Sequence, residues 1–188
     1  EMIKSLELTE RMHYQLYNFC KKNKIDFIST PYGIDDAKFL DKMGCNTYKT
    51  ASADLVDLEM HEYLARKKKT VLISVGMASM REIKECVQIY KKYKNKNIAL
   101  LHCVSNYPCS YDSLNINVIP KLKLLFDCEV GFSDHSIGPH AAVLSYALGA
   151  SIIEKHFTTN RKLKGPDQEA SVLPNEFLLL VEEVMKSK

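Results

Sequence analysis

A chain of 188 residues that is 46% hydrophobic and 26% charged can offset the entropy of ordering, which excludes a disordered polymer and makes one domain the default expectation. No run of about 18 apolar residues occurs, which argues against a membrane-spanning helix. The 26 Lys plus Arg against 23 Asp plus Glu leave a net charge of +3, too weak to argue for nucleic acid.

In chain order, short β-branched or apolar runs alternate with longer amphipathic stretches. A helix over residues 9–23 comes first. Strands are then expected at 26–29, 47–49, 71–74, 98–103, 130–132 and 152–154. The stretches between them read as helices at 37–43, 58–66, 81–93, 116–125 and 141–148, and a last helix spans 174–185. Gly44 and Gly149 fall where helices stop. Pro174 falls where a helix starts, a position that tolerates its missing N–H. Ser79 with Glu82 three residues on reads as a capping box. The basic runs Arg66-Lys67-Lys68-Lys69 and Lys91-Lys92-Tyr93-Lys94-Asn95-Lys96 read as solvated helix C-termini, where cations suit the dipole.

Strict strand–helix alternation implies a parallel α/β sheet, either open and doubly wound or a (β/α)8 TIM barrel. A barrel needs eight units and typically about 250 residues. Six units therefore fall two short, and the chain opens on Glu1 rather than methionine. The expectation is a barrel cut at its N-terminus, with the last six units present. The six cysteines, Cys20, Cys45, Cys86, Cys103, Cys109 and Cys128, form no CxxC pair and read as reduced, buried thiols of an intracellular protein rather than a disulfide framework.

In parallel α/β folds the site lies at the C-terminal ends of the strands. Those ends carry Ser29-Thr30-Pro31-Tyr32; Lys49, Ser52 and Asp54; Ser74 and Gly76; His102, Ser105, Asn106 and Tyr107; Ser133-Asp134-His135; and Glu154-Lys155-His156. Hydroxyls with one lysine suit a phosphate or carboxylate. Two histidines on neighbouring strands suit a divalent metal. Each residue alone has a plainer reading: Lys49 as a solvated lysine, His135 and His156 as core hydrogen-bonders, the hydroxyls as turn formers. His102, between Leu101 and Cys103, reads as structural. His13, His61 and His140 read as surface. Gly165-Pro166-Asp167 reads either as a turn or as a loop carrying a carboxylate over the barrel mouth.

Seven segments occur in order: Phe27-Ile28-Ser29-Thr30-Pro31, Tyr48-Lys49-Thr50-Ala51-Ser52, Ile73-Ser74-Val75-Gly76-Met77, Leu101-His102-Cys103 with Tyr107-Pro108, Gly131-Phe132-Ser133-Asp134-His135, Ile153-Glu154-Lys155-His156-Phe157-Thr158 and Gly165-Pro166-Asp167. Together they resemble the sialic acid synthase family, the N-acetylneuraminate synthases and their legionaminate and pseudaminate relatives, over nearly the whole chain. The resemblance implies a (β/α)8 barrel that condenses phosphoenolpyruvate with an N-acetylated amino sugar, N-acetylmannosamine or a 6-deoxy diacetamido hexose, and releases phosphate. It implies a divalent cation, Mn2+ first with Mg2+ or Co2+ as alternatives, held by His135 and His156. Thr30, Lys49, Ser52, Ser74, Ser105 and Ser133 would hold phosphoenolpyruvate, and Tyr107 and Asp167 would contact the sugar. Lys49, Asp54 and Tyr107 would be catalytic. Asp54 stands where the family commonly has glutamate, and Ser105 where some members have asparagine. Residues 1–188 are expected to be a partial catalytic barrel, without the two opening units or the C-terminal antifreeze-like domain that many members carry. The full-length protein is expected to be a cytoplasmic homodimer that binds neither nucleic acid nor membrane. The competing readings are a phosphoenolpyruvate-dependent synthase with a sugar phosphate as acceptor, and a non-catalytic binding protein on the same fold.

Overall fold

The computed structural model describes residue 4 and residues 6–187. Five strands, β1 (Thr47–Thr50), β2 (Thr70–Ser74), β3 (Ile98–Cys103), β4 (Glu129–Asp134) and β5 (Ile152–Lys155), pair in sequence order. All four pairings are parallel. Helices α1 (Glu10–Lys22), α2 (Ile34–Met43), α3 (Leu58–Lys67), α4 (Met80–Lys92), α5 (Val118–Phe126), α6 (His140–Ala147) and α7 (Pro174–Lys186) alternate with the strands or flank them. The sheet curls as an arc of a barrel. Its central strand β3, IALLHC, is buried at every residue, as expected of a parallel strand covered on both faces.

Local chemistry explains the boundaries. The Thr9 side chain accepts from Met12 N at 3.3 Å to start α1. Ser79 and Glu82 form the expected reciprocal capping box of α4. Gly44 ends α2 in the left-handed region at φ 89°, where a side chain would be strained. Pro174 occupies the first turn of α7. Helices α2 to α6 bury one face against the outer side of the sheet, where Tyr48, Ile73, Leu100, Phe132, Leu64, Ile119 and Leu122 are wholly buried. Each such side chain contributes about 1.5–3 kcal/mol relative to exposure.

Three expectations change. Residues 26–29 are not a strand: the segment makes one isolated bridge, Ser29 to Tyr48, through Lys49 N donating to Ser29 O at 3.3 Å. It lies at the edge of the sheet, and Pro31 follows within two residues, so the ladder has nowhere to extend. The described sheet therefore has five strands rather than six. His61 is not on the surface. It is wholly buried, with Nδ1 2.8 Å from the Tyr90 hydroxyl, because α3 turns that face toward α4. The first basic run is not wholly solvated either. Lys67 and Lys69 reach Asp41 at 2.6 and 2.7 Å, and Tyr48 and Tyr63 also donate to that carboxylate. Burial works against the charged form of Asp41, but these donors hold its carboxyl well below the usual range. The six cysteines are free thiols, four of them buried. Among the described residues no helix is long and apolar enough to cross a membrane.

Candidate active site at the strand C-termini

The C-terminal ends of the strands surround a cleft of about 500 Å3. Strand alternation decides what faces it. In β1, Tyr48 and Thr50 are buried toward the helices and Lys49 between them lines the cleft. Lys49 Nζ donates to Ser74 Oγ at 2.7 Å and to Thr50 O at 3.1 Å, and lies 3.6 Å from Glu154 Oε1. Its side chain is only 13% exposed, so it is no solvated surface lysine.

The histidines stand on the opposite wall. His135 Nδ1 lies 2.6 Å from Val104 O. A carbonyl can only accept, so the proton is on Nδ1 and the Nε2 lone pair is free. Burial pushes the His135 pKa down, the Val104 bond opposes that, and nearby His156 adds to the lowering. Burial thus favours the neutral imidazole, the form that binds metals. Ring centroids of His135 and His156 are 5.4 Å apart. Tyr107 packs its ring against His135 at 4.0 Å and edge-on to His156 at 5.2 Å, just before a cis bond to Pro108. His156 Nδ1 lies 3.6 Å from Asp167 Oδ2, which draws the Gly165-Pro166-Asp167 loop to the site.

The predicted residues thus divide. Thr30, Lys49, Ser52, Ser74, Ser105, Tyr107, Ser133, His135 and His156 all line the one cleft. Asp167 stands behind His156. Asp54 is set back from the wall on the 3-10 turn Ser52–Val56. Burial raises its pKa, and its Oδ2 has no hydrogen-bond partner. His102 turns away, with Nε2 2.8 Å from Leu114 O, as a structural histidine should. Ser52 is seated by close packing: its Oγ lies 3.0 Å from Cys103 Sγ, and a Cβ on Gly76 would come within 2.6 Å of that sulfur and 2.9 Å of that hydroxyl. Gly76 is therefore glycine because the wall has no room for a methyl.

Glu154 is an ionisable cleft residue that had no role in the sequence reading. It lines the wall and accepts from Ser133 Oγ at 2.7 Å. The signal was present in the spacing. Ser133 and His135 share one face of their segment, as do Glu154 and His156 of theirs, and Ser133 and Glu154 are direct register partners.

Two imidazoles, one with its ring tautomer fixed from behind, fit a divalent cation of the Mn, Fe, Co or Zn group. Among the described residues no three His, Cys, Asp or Glu side chains converge as a complete metal cluster, so the two histidines would be a partial ligand set. Opposite them, one ammonium and several hydroxyls form a cradle for an anion. The arrangement places an anion next to a cation-binding pair within one cleft.

A parallel α/β arc that carries its polar cleft at the C-terminal rim of the strands is the half-barrel class of fold. The chain matches the NeuB family over residues 1–188 and belongs to it. It is 36% identical over 186 residues to the N,N'-diacetyllegionaminic acid synthase of Campylobacter jejuni, covering 98% of this chain and 56% of that protein. It is 34% identical over 182 residues to the N-acetylneuraminate-9-phosphate synthase of Homo sapiens, covering 95% and 50%. The crystal structure of the N-acetylneuraminic acid synthetase from Leptospira borgpetersenii superposes with a TM-score of 0.95 at 36% identity, covering 99% of this chain and 65% of that one. The chain spans about half the length of these two curated relatives.

Proposed function

We propose that this chain supplies the phosphoenolpyruvate cradle and the cation-binding histidines of an enzyme that condenses phosphoenolpyruvate with an N-acetylated amino sugar. The product would be a nine-carbon 2-keto acid, formed with release of phosphate. The observation that carries the reading is Lys49 Nζ held 2.7 Å from Ser74 Oγ in the same cleft as His135 and His156.

Lys49 and the hydroxyls of Thr30, Ser52, Ser74 and Ser105 would fix the phosphate and carboxylate, neutralising charge and setting orientation. A divalent cation held by His135 and His156, Mn2+ first, would supply Lewis-acid polarisation of the acceptor carbonyl. Tyr107 and Asp167 border the histidines where the sugar would lie. C3 of phosphoenolpyruvate bonds to the sugar carbonyl carbon, whose oxygen takes a proton. Water adds to C2, losing a proton. The tetrahedral C2 then breaks its bond to the phosphate oxygen, its hydroxyl proton passes to the departing phosphate, and a ketone remains. Asp54, behind Ser52 on the 3-10 turn and with a carboxyl oxygen that nothing satisfies, is the group we assign to ordering that water, which it would reach by turning its side chain toward the cleft.

The test is phosphate release from phosphoenolpyruvate by the protein expressed from its complete reading frame, with N-acetylmannosamine and Mn2+ and a chelator control. Sugar-dependent, chelator-sensitive release is expected. Release only with a 6-deoxy diacetamido hexose would keep the chemistry and move the specificity. No release with any acceptor would favour a binding protein. Lys49→Met should lower kcat/KM for phosphoenolpyruvate by about 10- to 100-fold, the worth of one hydrogen bond to a charged group. His135→Ala or His156→Ala with metal-dependent turnover intact would overturn the assignment.

A further inference from the structure

The Ser133 hydroxyl has one proton and two acceptors in reach, Glu154 Oε1 at 2.7 Å and His135 Nε2 at 3.3 Å. His135 has its own proton on Nδ1, bonded to Val104 O, so Nε2 can only accept. Were Ser133 to donate there, the lone pair facing the cleft would be consumed. Glu154 is the nearer acceptor and the charged one, and charge-assisted hydrogen bonds are the stronger kind. Its position is fixed from two sides, by register pairing with Ser133 and by Lys49 Nζ at 3.6 Å.

We infer that Glu154 is a positioning residue that takes the Ser133 proton and so keeps His135 Nε2 open to a cation. It acts through the serine hydroxyl from which it accepts. This rests on the proposed role of His135 and His156. It also links the two halves of the cleft, because the carboxylate that holds the serine proton is the one facing Lys49.

The test is direct Mn2+ binding to the complete protein without substrates, read by the loss of the free Mn2+ electron paramagnetic resonance signal, with circular dichroism to confirm folding. Glu154→Leu leaves the Ser133 proton free to turn to Nε2 and should weaken binding by about 10- to 100-fold, the usual range for an outer-shell partner of a metal ligand. Glu154→Gln still offers a carbonyl oxygen to Ser133 and should bind within about threefold of wild type, since the acceptor is kept. Ser133→Ala combined with Glu154→Leu removes the competing proton and should regain most of the lost affinity. Unchanged binding in Glu154→Leu would overturn this inference alone. So would equal losses in Glu154→Gln and Glu154→Leu without rescue in the double variant, which would mean that Glu154 acts only by its charge. Wild-type protein that binds Mn2+ no better than His135→Ala would overturn both this inference and the histidine assignment beneath it.

Discussion

His61 shows how one side chain can carry acid sensitivity into a core. It is wholly buried, and burial pushes its pKa down to about 4, against smaller opposing effects from Asp54 and Asp57. An unfolded histidine titrates near 6.5. Between these values the unfolded chain binds the proton and the folded one does not, so stability present above about pH 6.5 is lost as the pH falls toward about 4. The shift corresponds to about 3 kcal/mol. Urea unfolding at pH 7 and pH 4.5 should show a larger acid loss in wild type than in His61→Gln, whatever their difference at neutral pH. Equal slopes would refute the assignment. The sequence hid this residue, because a histidine in a helix beside Glu59 and Glu62 looks polar until the opposing Tyr90 is placed.

At the level of the strand, Asp134 and Lys155 make the buried ion pair of the molecule's described part. They are register partners on β4 and β5, 2.7 Å apart, with side chains 0% and 1% exposed. Ser136 N and Oγ complete the carboxylate at 2.8 and 2.7 Å, and Lys155 also donates to Ser136 O and Gly138 O. Each member directly precedes a cleft histidine, so the pair ties together the two strands that carry them. Lys155→Met would strand a buried carboxylate and should cost about 3–5 kcal/mol, measured by urea denaturation. Asp134→Leu with Lys155→Met should recover much of that, because two apolar groups leave no unpaired charge. If the double variant is no more stable than the single one, burial of the bare charge is not the cause. The strand ends themselves were legible in the sequence: periodicity placed five of six strands, and every strand end carried the polar residues that meet in the cleft. Pairing across strands was not legible, since Asp134 finds Lys155 only once the register of β4 on β5 is fixed. The segment 26–29 misled for a related reason. Its apolar run had the composition of a strand, but a ladder also needs length and neighbours.

Over the whole molecule, the arc leaves apolar side chains uncovered beyond both of its ends. Met12, Leu16 and Phe19 of α1 are 45%, 42% and 65% exposed, and Phe177, Leu178 and Met185 of α7 are 38%, 59% and 54% exposed. The strands at the two ends, β1 and β5, each have one sheet partner among the described strands. Exposed apolar surface beside open strand edges drives self-association. The 188-residue polypeptide alone should therefore show a weight-average mass that rises with concentration in sedimentation velocity, and Phe19→Lys with Leu178→Lys should reduce the rise. A constant monomer mass across the range would contradict this.

The alternation of the strands has one more consequence, for how variation is tolerated. Ser133 and Glu154 line the cleft, while the side chains of their chain neighbours Asp134 and Lys155 are buried in an ion pair with each other. Selection for foldedness and selection for turnover would therefore act on interleaved positions of the same short peptides. A library randomised in blocks across 133–135 or 154–156 would merge the two signals. Codons varied one at a time would separate them into a stripe that sets how the chain holds its shape and a stripe that lines the cleft.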